Sequence, residues 1–189
     1  SGQCLPILIM KDSHTLTYGA TALDTKAVSD YSVSYMVGWM RSLGYKRVLW
    51  RGDNEPALLA LRTAVSRFMP EVEFVPCDSP AGDHVVNGFA KSAVRELETE
   101  VRVLKSSLEA KFGERMLMTD PSLTWLPGFV AARKRCYRIG ADGKTAEQGR
   151  TGRRWRRPVI QHGECVVFRT LDIGEKNKVD FEAHMLEEL

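Results

Sequence analysis

No apolar stretch in the 189 residues approaches the roughly 18 that a membrane-crossing helix needs, and the N-terminal run 5–10 is about a third of that. No helical span and no hydrophobic signal segment are expected. Cysteine is sparse: Cys4, Cys77, Cys136 and Cys165 lie far apart, form no CxxC pair and have no histidine at zinc-ligand spacing. They read as reduced, buried thiols of an intracellular protein. His14, His84, His162 and His184 are equally isolated, and no internal repeat or glycine-rich phosphate loop is present. There is no initiating Met and Ser1 leads straight into an apolar run, so the chain reads as cut from something longer. With 43% hydrophobic and 27% charged residues, wholesale disorder is excluded too.

The net charge is small, +3 from 27 basic and 24 acidic side chains, but it is unevenly placed. Residues 1–113 hold 13 basic and 13 acidic side chains, 114–169 hold 12 and 5, and 170–189 hold 2 and 6. The basic middle is either the footprint of a polyanion such as a nucleic acid or a plain solvated surface.

Strand and helix signals alternate, which predicts an α/β fold with a mixed sheet. The run 5–11 reads as a buried strand, and 15–23 as its antiparallel return with a bend at Gly19. Ser29 or Asp30 caps a helix over 31–43 that Gly44 stops. A third strand covers 47–50. Pro56 opens a helix to about Phe68, and 71–75 alternates as a further strand. The longest helix runs to about Phe112, with Phe89, Ala93, Leu97, Val101, Leu104, Leu108 and Phe112 as its apolar stripe. Another follows over 121–137, with Trp125, Phe129 and Ala132 as its apolar side. The Gly-rich and polar segment 140–152 reads as a linker, and 163–171 as a strand before an acidic tail.

Asp12 and Asp53 each follow a predicted strand, at the kind of sheet end where ligands bind. Two such carboxylates repel unless a hard cation neutralises them, which is how phosphodiester chemistry is commonly metal-assisted. The alternative is that both are turn acids.

The order of several short runs is more specific. Asp53-Asn54-Glu55-Pro56-Ala57-Leu58, then Ser79-Pro80-Ala81-Gly82-Asp83, Asn87-Gly88-Phe89-Ala90, Leu126-Pro127-Gly128-Phe129, Asp142-Gly143-Lys144-Thr145 and His162-Gly163-Glu164-Cys165 together resemble the catalytic core of retroviral-type integrases. The nearest branch is the integrase of copia-type LTR retrotransposons, and the resemblance covers about residues 5–170. It implies a ribonuclease-H-like mixed sheet flanked by helices, with a basic helical extension and a partial C-terminal β segment. The corresponding divisions are a core over 5–113, an extension over 114–139, a basic linker over 140–158 and a truncated β segment with its tail over 159–189. The resemblance also implies Mg²⁺ or Mn²⁺ as cofactor, DNA (retroelement ends and target) as partner, homo-oligomers and a nuclear location. Its pattern has three metal-binding acids, the third a Glu on the long helix. Asp12 and Asp53 match the first two, and Lys91 occupies the third position.

An ammonium in place of a carboxylate changes the local charge by about +2 and removes an oxygen ligand. The resulting expectation is an integrase core impaired at Lys91; the alternative is a nucleic-acid-binding module that kept the fold. Lys91 would pair with Asp12 and Asp53, and Asp83 is the candidate substitute acid. Nucleic-acid contacts are expected from Arg95, Arg102 and Lys105 on the long helix, Arg133 and Lys134 on the next, and Arg153, Arg154, Trp155, Arg156 and Arg157 beyond it. The last group reads equally as a nuclear-import signal. A third alternative is an unrelated α/β domain in which the acids are structural.

Overall fold

The computed structural model describes residues 5–77, 88–117, 120–158 and 160–164. Four strands and five helices follow in order: β1 (Ile7–Lys11), β2 (Tyr18–Ala22), α1 (Asp30–Leu43), β3 (Arg47–Trp50), α2 (Pro56–Phe68), β4 (Glu73–Pro76), α3 (Gly88–Phe112), α4 (Pro121–Tyr137) and α5 (Ala146–Thr151). Local chemistry sets most boundaries. Ser29 and Ser32 exchange backbone and hydroxyl hydrogen bonds in a capping box, and Gly44 closes α1 at φ 74°. Pro56 occupies the first turn of α2, where its missing N–H costs nothing. Asp120 accepts the Ser122 amide at 2.9 Å ahead of Pro121 in α4.

The expected mixed sheet is divided in two. β1 and β2 pair antiparallel, β3 and β4 pair parallel, and no ladder joins the pairs among the described residues. Both pairs share one helical layer: Leu8 and Met10 of β1 pack with Val33, Met36, Val37 and Met40 of α1 and Leu61 and Val65 of α2, and Val48, Trp50 and Phe74 join them. The opposite face of β1–β2 is covered by α3 and α4, where Tyr18, Ala20, Ala93, Leu97, Val130 and Ala131 are buried together. That second layer does not extend over β3, whose Leu49 is 60% exposed. A parallel pair is ordinarily covered on both faces.

Gly19 is no bend. It lies within β2 opposite Met10, and a Cβ there would come within 2.7 Å of Met10 and the Trp39 indole. Nor is 140–152 a linker. Ile139 bridges to Thr145 around Gly143 (φ 75°), and the Thr145 hydroxyl accepts the Gln148 amide at 3.2 Å to start α5. Buried Glu147 then ties α5 to α4 through Arg135 at 3.2 Å. The apolar side of α4 is also rotated from expectation: Leu123, Leu126, Val130 and Ala131 are buried, whereas Trp125 is 67% exposed. At the ends of the α3 stripe, Phe89 and Phe112 are exposed. The strand expected over 163–171 lies almost wholly outside the described residues.

Candidate nucleic-acid interface

Asp12 closes β1 and is held by its own turn. Its carboxylate accepts the Thr15 amide at 2.8 Å, the Thr15 hydroxyl at 2.5 Å, the His14 amide at 3.3 Å and the Tyr45 hydroxyl at 2.9 Å. Partial burial alone would raise its pKa; the Thr15, Tyr45 and His14 donors outweigh that and leave it below the ordinary value. Burial, reinforced by the same contact, pushes the Tyr45 phenol up to about 12.

This contact also fixes where Asp12 lies. Tyr45 immediately precedes β3, so the end of β1 is beside the start of β3. At the other end of the sheet, Leu23 bonds to Pro6 across the β1–β2 pair, and Lys26 reaches Glu55 at 3.3 Å. Glu55 occupies the N-cap position of α2, past the end of β3, and is two residues from Asp53. β1 and β3 therefore run in opposite senses, and Asp12 lies by the start of β3 whereas Asp53 follows its end, on the order of 15 Å away at strand rise. Two carboxylates on one Mg²⁺ each stand about 2 Å from it.

The implied metal therefore does not fit this donor set. Asp12 already accepts four hydrogen bonds, three of them on Oδ2, and it is remote from Asp53, whose own oxygen accepts the Asn54 amide at 3.0 Å. Among the described residues, no three His, Cys, Asp or Glu side chains gather where they could hold an ion. Lys91 is exposed on the first turn of α3. Asp83 lies outside the described residues. Asp12→Ala is expected to cost about 1–3 kcal/mol by leaving the Thr15 amide and the Tyr45 hydroxyl without their acceptor, read as a lower urea midpoint. An unchanged midpoint would show that the turn does not depend on this carboxylate.

The expected basic contacts divide by their partners. Arg102 bonds Glu98 at 3.1 Å and Lys105 bonds Glu109 at 2.5 Å, both along α3 itself. Lys134 is a correction: at 6% exposure it is buried, its ammonium 2.5 Å from Glu100 and 3.5 Å from Glu96, and it crosses the Tyr18 ring. It holds α4 to α3 and is not placed to meet a ligand. Arg138 beside it also bonds Glu96. By contrast Arg95, Arg133, Arg153, Arg154, Arg156 and Arg157 are exposed, and no carboxylate of the described residues pairs with them.

Sequence reasoning missed Glu96. Its carboxylate receives the Tyr18 hydroxyl at 2.8 Å and Arg138, with Lys11 at 3.9 Å and Lys134 at 3.5 Å. A signal existed: Glu96 and Glu100 on one helix match Lys134 and Arg138 on the next, each pair spaced by four.

No protein-family profile matches the sequence, and no curated protein matches it. Among solved structures, the chain is similar to the catalytic core domain of HTLV-2 integrase, determined in complex with magnesium in a trimeric form. The two are 12% identical with a TM-score of 0.48, over 77% of this chain and 93% of that one.

Proposed function

We propose that the chain is an integrase-like core acting as a DNA-binding module, and that its own residues do not carry out metal-dependent strand transfer. The observation that carries this reading is the exposed run Arg153, Arg154, Arg156 and Arg157 around Trp155, with no carboxylate partner among the described residues. Uncompensated cations at this density bind a phosphate backbone by releasing its counterions. The ordered motifs from Asp53 to Glu164 supply the kind of polyanion, namely retroelement ends and target DNA, and nuclear location and self-association belong to the same proposal. The runner-up is a core disabled only at Lys91, in which Asp12 and Asp53 share a cation.

Both readings meet in one experiment on an oligonucleotide duplex with Mg²⁺ or Mn²⁺. Expected are salt-sensitive binding and no strand cleavage or joining, either by the natural chain or by Lys91→Glu. Activity gained by Lys91→Glu and removed by adding Asp53→Asn would establish the runner-up. Cleavage by the natural chain that Asp53→Asn abolishes would establish a working catalytic site and overturn the proposal.

A further inference from the structure

The basic segment encloses a cleft that arginines alone do not explain. Its volume is about 220 Å³, with Cys136 and Tyr137 of α4, Ile139 and Thr145 on one side and Arg154 to Arg157 on the other. Drug-sized pockets begin at about 300 Å³, so this one has room for a single planar ring system. Its apolar surface is open to solvent: Ile139 is 63% exposed and Tyr137 39%.

The indole of Trp155 is fixed in place. Its Nε1 donates to the Tyr137 hydroxyl at 2.8 Å, and that hydroxyl donates to the Arg157 carbonyl at 2.5 Å. One phenol thus holds both the ring and the backbone beside it. The Arg157 guanidinium lies over the indole at 5.6 Å, a planar group whose place an incoming base takes as the guanidinium turns to its phosphate. An aromatic ring immobilised before binding loses little freedom when a partner stacks on it.

We infer that this cleft seats one unstacked base of a single-stranded nucleic acid, with the flanking arginines on its phosphates. The inference rests on the nucleic-acid reading above and narrows it. Duplex and single strand offer phosphates alike, but only the single strand offers a free base face, since in a duplex that face is stacked. Charge explains binding to either; the locked indole favours the single strand.

The test measures anisotropy of a fluorescein-labelled thymidine oligonucleotide and of a duplex of equal length, both at low salt. The natural chain is expected to prefer the single strand. Trp155→Ala should lower single-strand affinity roughly tenfold and change duplex affinity less than about twofold. Tyr137→Phe keeps the charge and nearly all the packing but releases the indole, and should lower the single-strand preference while leaving duplex binding alone. It carries the test if Trp155→Ala loses its circular dichroism. Equal losses on both probes, or an unchanged preference in Tyr137→Phe, would overturn the base seat. Binding to neither probe by the natural chain would instead overturn the nucleic-acid reading itself.

Discussion

A variant carrying glutamine at Arg153, Arg154, Arg156 and Arg157 is expected to bind duplex DNA about a hundredfold or more weakly at moderate salt, with the slope of log affinity against log salt shallower by about 3 to 4. The slope is the more telling quantity, because it counts displaced counterions and is insensitive to small changes in shape. These four side chains are selected over the other cations by their surroundings. Arg102 and Lys105 already face Glu98 and Glu109, and Lys134 is buried against Glu100. Neutralising Arg102 and Lys105 together should therefore change affinity by only a few fold. The quadruple change leaves the Tyr137 hydroxyl its acceptor, since that acceptor is the Arg157 backbone carbonyl. A salt slope equal to that of the natural chain would place the DNA contact elsewhere on the molecule.

What the sequence made legible was set locally. The caps at Ser29, Gly44 and Pro56 act within a turn of the chain, and the helices they bound lie where those signals place them. Strand pairing is a long-range property, and the single mixed sheet expected from the sequence is found as two pairs among the described residues. Asp12 and Asp53 look alike in sequence, each an acid just past an apolar run. The opposed senses of β1 and β3 appear only once Tyr45 is seen on Asp12 and Lys26 on Glu55. The same distinction governs the candidate interface. Arg153 to Arg157 announce themselves by density, whereas Lys134 belongs to an equally basic stretch and differs only in the face of α4 it occupies. The glycines of 140–152 suggested a linker by composition, but Gly143 turns the chain and Thr145 caps a docked helix.

The join between α3 and α4 makes stability depend on a single carboxylate, and acid should reveal it. Glu96 is partly buried, which alone would raise its pKa; the hydrogen bonds from Arg138 and Tyr18 and the charge of Lys11 pull it down to about 2. A carboxyl whose folded pKa lies below its unfolded value contributes stability that is fully present above the unfolded pKa, about 4.3. That contribution is lost as pH falls from there toward 2. With about a third of the side chain facing solvent, screening reduces it to about 2 kcal/mol. Glu96→Gln should remove this amount at neutral pH and flatten the decline between pH 4.5 and 2, measured by urea unfolding across that range. Glu96→Ala should cost more, about 3 kcal/mol, because the Tyr18 hydroxyl also loses its acceptor and buried Lys134 is left with Glu100 alone. Parallel pH profiles for the natural chain and Glu96→Gln would mean that Glu100 alone neutralises Lys134 and that Glu96 is a bystander. The buried ammonium argues otherwise, since it is shared between two helical turns and each acid reaches it from a different one.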